Sequence, residues 1–237
     1  GLAKRFGGVH AVNGLDLDVA AGEVVGLIGP NGAGKTTAFN LLSGFLRPEA
    51  GDVRFRGHSI VGLKPHAICH RGLARTFQIV RPFPRLSVLD NVEVGAFARH
   101  PRVADARERA RAVVGRMGLA AKAGQPAGTL TLAERKRLEL ARALATEPVL
   151  LLLDEVMAGL TPLETEAMVQ LIGAVHGGGV SVLLIEHNMR AVMALSHRIV
   201  VLSFGEKVAE GRPAEIARHP RVIEAYLGEE YVGAAPA

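Results

Sequence analysis

Gly29-Pro30-Asn31-Gly32-Ala33-Gly34-Lys35-Thr36 sets two glycines with four residues between them and follows the second with a lysine and a hydroxyl. That spacing suits a phosphate chain. Glycines let the backbone turn its N–H groups inward, the lysine reaches β- and γ-phosphate oxygens, and the hydroxyl ligates Mg²⁺. Thr37 continues the same phosphate-binding end. The chain is therefore expected to bind a nucleoside triphosphate. A second constellation is Asp154-Glu155, directly after the apolar run Val149–Leu153. Carboxylates at the C-terminal end of a parallel strand lie where such sheets bind ligands. Asp154 is suited to the Mg²⁺ shell, and Glu155 to orienting an attacking water or taking its proton. His187, in Ile185-Glu186-His187, ends a third apolar run and is expected near a γ-phosphate. The three strand ends are expected to converge on one hydrolytic site.

These groups need rigid elements behind them. Val24–Ile28, Val149–Leu153 and Val180–Ile185 are continuously apolar, as strands buried on both faces of a parallel sheet are. Leu15, Leu17 and Val19 alternate with Asp16 and Asp18, and Val53 and Phe55 with charged neighbours, which predicts antiparallel strands near the N-terminus. Three capping boxes open helices at Ser87, Thr131 and Thr161, the last with Pro162 at the first helical position. The third helix carries Leu163, Ala167, Leu171 and Val175 and stops at Gly177-Gly178-Gly179. A mostly helical stretch, about 86–146, reads as an insert in one α/β domain spanning 1–237. A turn at Ser203–Lys207 and a short helical tail close the chain.

Composition narrows the function classes. The chain has 237 residues, 49% of them hydrophobic but only 4% aromatic, so its core is aliphatic. The single cysteine, Cys69, cannot form an internal disulfide, and no run approaches the roughly 20 apolar residues of a membrane span. A cytoplasmic location, with a membrane reached only through a partner, is the expectation. The net charge of +5 is densest over Arg99–Arg116, without interleaved aromatics, so no nucleic-acid partner is expected. His66, Cys69 and His70 share a helical face but lack a fourth ligand for zinc.

Taken in order, these motifs resemble the ATP-binding-cassette family across essentially the whole chain. The resemblance implies ATP and Mg²⁺ as ligands. It also implies an α/β fold: a P-loop NTPase (RecA-like) core with a mostly parallel sheet, an N-terminal antiparallel β subdomain and a helical subdomain insert. Phe6, in Lys4-Arg5-Phe6-Gly7-Gly8, is similar to the family's adenine-stacking aromatic, with Val12 beside it. Gln78, in Arg75-Thr76-Phe77-Gln78, resembles the glutamine that senses Mg²⁺ and contacts the transmembrane partner; Asp154, Glu155 and His187 match the second carboxylate motif and the switch histidine. Glu155, His187 and Gln78 are thus the implied catalytic set, and Thr36, Gln78 and Asp154 the implied metal set.

Two segments depart from the family pattern. Leu130-Thr131-Leu132-Ala133-Glu134 stands where the signature reads Leu-Ser-Gly-Gly-Gln. In the family this segment closes over the ATP of a second, head-to-tail cassette, so Thr131 is an implied nucleotide contact. Ala158-Gly159-Leu160-Thr161 stands where Ser-Ala-Leu-Asp is common. The family also has an edge strand ahead of the Phe6 region, so a trimmed N-terminus is expected. Gly44–Pro48, Arg75–Phe83, Asp154–Leu160 and Val222–Gly228 resemble the ATPase subunits of bacterial branched-chain amino acid importers. Such systems combine two ATPase subunits, of one kind or two paralogues, with two transmembrane permeases and a secreted binding protein. That branch also handles urea and short amides. Its ATPase would sit at the cytoplasmic face of the inner membrane, with Ile79, Val80 and Phe83 facing a permease helix or packing within the helical insert. The alternative is the ATPase of an exporter, such as one for lipopolysaccharide. A GTPase is disfavoured because no Asn-Lys-x-Asp segment is present.

Overall fold

In a computed structural model, which describes residues 1–78 and 81–223, the continuous apolar runs form largely buried strands, with short antiparallel pairs around them. Along the chain come β1 (Leu2–Phe6), β2 (Val9–Leu15), β3 (Val24–Ile28), α1 (Lys35–Leu42), β4 (Arg54–Phe55), β5 (His58–Ser59), α2 (Pro65–Arg71) and β6 (Leu73–Arg75). Then follow α3 (Val88–Ala96), α4 (Val103–Arg116), α5 (Leu132–Ala145), β7 (Leu150–Asp154), α6 (Pro162–Gly177) and β8 (Ser181–Ile185). Next are α7 (Met189–Leu195), β9 (Arg198–Ser203) and β10 (Glu206–Gly211), with two short helical turns after them. The chain divides into two compact units, Gly1–Pro65 with Leu183–Ala237, and His66–Val182.

In the first unit β3 lies between β8 and the parallel β9, and all five of its residues are buried. β10 returns antiparallel to β9 through Phe204-Gly205. β1 and β2 form a separate antiparallel pair, with Leu2 opposite Leu15 and Lys4 opposite Val12. β4 and β5 form a two-residue hairpin. The strand expected over Leu15–Val19 does not form, because β2 ends at Leu15. The alternation survives only as burial: Asp16 and Asp18 are exposed while Leu17 and Val19 are half-buried. One packed face is enough to select period two, but a strand also needs a partner edge. Arg198 ties this segment down, donating to the Asp18 carbonyl at 2.8 Å and to both Glu23 carboxylate oxygens at 2.9 and 3.0 Å.

In the second unit β6 and β7 are parallel, Leu73 opposite Leu150 and Arg75 opposite Leu152. Between them lie α3, α4 and α5. Ser87 caps α3, accepting from the Asp90 N–H at 3.0 Å, and Thr131 and Thr161 make complete capping boxes on α5 and α6. The packed face of α6 differs from the sequence expectation. Thr165, Met168, Ile172 and Val175 are buried, whereas Leu163 is 78% exposed. A four-residue step overshoots the 3.6-residue turn by about 40° each time, so a stripe at 163, 167, 171 and 175 drifts around the helix and meets the packed face only at Val175.

Candidate functional site

The first unit builds a phosphate cradle. β3 enters the loop over residues 29–34 and α1 leaves it. Gly34 is the N-cap of α1 at φ 103°, and a Cβ on it would lie 2.1 Å from the Ala11 carbonyl oxygen of β2. Only glycine permits that approach. The Ala33 N–H donates to the Pro30 carbonyl at 3.2 Å, and the Gly205 N–H donates to the Ala33 carbonyl at 3.0 Å, so the β9–β10 turn props the loop. Lys35 is buried, and its ammonium donates to the Gly29 and Pro30 carbonyls at 2.7 and 3.0 Å. Asn31 and Gly32 are exposed, as is Thr36 in the first turn of α1, with Thr37 half-buried beside it. No acidic residue occupies that first turn, so nothing there opposes the positive end of the helix dipole.

The other expected residues of this unit fall into place one by one. Phe6 ends β1 and is 49% exposed, with the Lys4 ammonium 5.6 Å from its ring centroid. Val12 is fully buried, so of the two expected adenine contacts only Phe6 presents a surface. His187 is exposed immediately after β8, ahead of the Asn188 cap of α7.

The second unit builds the acidic side. Asp154 ends β7 and is buried, and its Oδ2 accepts from Arg75 at 2.8 Å. Its Oδ1 is also buried and has no hydrogen-bond partner among the described residues. A carboxylate oxygen in that state suits a hard divalent cation. That oxygen fits Mg²⁺, and in the first unit the exposed Thr36 hydroxyl is an oxygen donor of the same chemistry. Glu155 follows with φ 49°, a left-handed conformation for a side-chain-bearing residue, and its carboxylate accepts from Gln78 Nε2 at 2.7 Å. Thus Gln78 and Glu155, 77 residues apart, are brought into direct contact. Thr131 is exposed at the N-terminus of α5, where its capping box leaves the hydroxyl at the helix end. Lys122 bonds Glu134 of that box and holds its carboxyl below the usual range.

Three buried charges next to this acidic pair were not singled out in the sequence. Arg75 partners Asp154. Lys136 on α5 donates to the Glu155 carbonyl at 2.8 Å, and Glu139 accepts from the Phe77 N–H at 2.7 Å. Burial pushes the Glu139 carboxyl up. In sequence these residues sit among many other arginines, lysines and glutamates; only the spacing of three between Lys136 and Glu139 on one helix hints at a shared face.

Comparison with known proteins agrees with this geometry. The family model described as "ABC transporter" matches residues 12–158. The chain belongs to the ABC transporter family. It is an ATPase subunit with an ATP-binding cassette. A further model, "Branched-chain amino acid ATP-binding cassette transporter", matches residues 206–232 of the subunit. The subunit is 43% identical to the high-affinity branched-chain amino acid transport ATP-binding protein BraF of Pseudomonas aeruginosa, covering 97% of this chain and 96% of that protein. It is 40% identical to LivG of Escherichia coli, which carries the same description, over 97% and 96%. Its fold matches the crystal structure of an ATP-binding cassette of an ABC transporter in its ADP conformation, with a TM-score of 0.87, 29% identity and 96% coverage of both chains. The mixed α/β architecture, mostly parallel with antiparallel N-terminal strands, is the one the motifs implied.

Proposed function

We propose that this ABC subunit hydrolyses ATP to drive the import of branched-chain or other hydrophobic amino acids. The observation that carries this reading is the full-length likeness to branched-chain amino acid transport ATP-binding proteins. The whole chain acts as one nucleotide-binding domain. Backbone N–H groups of residues 29–34, Lys35, Thr36 and Thr37 hold the phosphates, and Phe6, with Val12 beside it, takes the adenine. Glu155 receives the proton of the attacking water, Gln78 orients that carboxylate, and His187 contacts the γ-phosphate. Thr36, Gln78 and Asp154 would hold Mg²⁺, which when bound neutralises charge on the β- and γ-phosphates. Thr131, at the N-terminus of α5, closes on the ATP of a second cassette, either another copy or a paralogue.

The subunit acts with two permeases at the cytoplasmic face of the plasma membrane, and a secreted binding protein delivers the cargo. Among the described residues no helix is long and apolar enough to cross a membrane, which fits peripheral attachment. Phe83 is 44% exposed, with Phe77 and Leu86 similarly exposed, and these support a permease-docking surface in the second unit. Asn91 fixes Phe83 from both sides, accepting from its N–H at 2.8 Å and donating to its carbonyl at 3.0 Å. Ile79 and Val80, expected in the same surface, lie outside the described residues, as do Glu224–Gly228 of the closing stretch.

The test is transport in vesicles carrying the subunit, its co-purified permeases and the binding protein. Labelled leucine, isoleucine or valine should accumulate with ATP, and Glu155→Gln should abolish accumulation. Capture of the subunit within an envelope-spanning export complex would overturn the importer reading in favour of the exporter.

A further inference from the structure

Helix α5 touches the segments that carry Gln78 and Glu155 of its own subunit at three points. Lys136, 4% exposed, donates its ammonium to the Glu155 carbonyl at 2.8 Å. Glu139, one turn further along and 9% exposed, accepts from the Phe77 N–H at 2.7 Å, on the residue just before Gln78. Leu132, in the first turn, lies against the loop after Glu155, its Cδ2 3.0 Å from where a Cβ on Gly159 would stand. These contacts bear on a conformation that needs support. Glu155 sits at φ 49°, a left-handed conformation that crowds a residue with a Cβ. Its carbonyl also accepts the Ala158 N–H at 3.2 Å, closing the turn that fixes the direction of its side chain. A buried ammonium on the same carbonyl strengthens that closure, because hydrogen bonds from a charged donor are roughly twice as strong as neutral ones.

We infer that Lys136 and Glu139 are positioning residues for the hydrolytic reaction: α5 grips the backbone of Glu155 with one and of Phe77 with the other, and so sets the Gln78–Glu155 contact. A side-chain pair bonded at 2.7 Å across 77 residues of sequence depends on how its two backbones are placed. A common helix that contacts both backbones gives them one reference frame. The N-terminus of this helix is the one carrying Thr131. An element that accepts a second cassette's nucleotide at its tip thereby holds the subunit's own acidic pair along its flank. The inference rests on Glu155 being the group that acts on water.

The experiment compares Lys136→Met, Lys136→Arg, Glu139→Leu and Glu139→Gln with the wild-type subunit and with Glu155→Gln. It measures kcat and KM for ATP, thermal unfolding, and hydrogen exchange of the Ala158 amide. Lys136→Met should lower kcat at least tenfold with KM changed less than threefold, and should speed exchange at Ala158. Lys136→Arg, which keeps the cation and its donors, should recover kcat to within about threefold of wild type. Glu139→Gln keeps an acceptor for Phe77 and should outperform Glu139→Leu by at least fivefold in kcat. Wild-type kcat in Lys136→Met would overturn the inference while leaving the role of Glu155 intact. So would a loss of ATP binding and melting temperature together that arginine fails to rescue, since that is a purely structural role. Should Lys136→Met fail to fold, the contrast between Glu139→Gln and Glu139→Leu decides. Hydrolysis surviving in Glu155→Gln would sink the reading of Glu155 itself, and the inference with it.

Discussion

Replacing Gly34 by alanine tests how the phosphate loop is built. Gly34 has φ 103° and ψ 1°, and a Cβ there meets the Ala11 carbonyl oxygen at 2.1 Å and the Ala11 carbonyl carbon at 3.4 Å. The obstacle is backbone of β2, which is paired with β1 and cannot swing aside as a flexible side chain would. Left-handed strain adds about 1–2 kcal/mol. Forcing two packed segments apart adds about 1–3 kcal/mol. A total of about 2–5 kcal/mol, at about 2–4 °C per kcal/mol for a chain of this size, lowers the melting temperature by about 10 °C. The nucleotide-free subunit should therefore melt early in circular dichroism. A fluorescent ATP analogue should bind at least tenfold more weakly, because the loop amides move with the displaced backbone. Melting within about 2 °C of wild type, below the shift expected for 1 kcal/mol, would refute the close-approach argument.

Glu155→Gln, slowed in hydrolysis, should dimerise when ATP and Mg²⁺ are added; light scattering showing only monomer would count against a competent Thr131 segment. Phe83→Asp should release the permeases in co-purification while ATP binding persists, and loss of both would place Phe83 in the core. Thr131→Ala removes the hydroxyl that caps α5 and should cost about 1 kcal/mol in urea unfolding. Arg198→Met should show its deficit in a particular pH window. The Arg198 guanidinium holds the Glu23 carboxyl below its ordinary value, so the stability it contributes is present above the unfolded carboxyl range and is lost as pH falls through the folded value. The variant should be less stable near neutral pH by about 1–3 kcal/mol, and its curve should meet wild type as the carboxyl protonates in acid. A constant difference across the whole pH range would argue that packing, and not the ion pair, is what Arg198 contributes.

Residue type and spacing alone determined the glycine-framed turn between β3 and α1, the strand that ends at Asp154, and the helix starts at Ser87, Thr131 and Thr161. Each depends on chain neighbours: a glycine-framed turn between strand and helix, an apolar run of strand length, a hydroxyl three residues before an acid. The family followed from the order of those motifs. What needed tertiary structure was whatever depends on a partner distant in sequence. Leu15–Val19 has a strand's alternation but no edge to pair with. The four-residue stripe of α6 drifts around the helix and meets the packed side only at Val175, so Met168 and Ile172 are buried while Leu163 is exposed. The charges of Arg75, Lys136 and Glu139 look like surface charges in the sequence because burial leaves no mark on residue type. Packing alone puts them against Asp154, Glu155 and Phe77. There low dielectric and fixed backbone partners turn ordinary charges into supports for the acidic site.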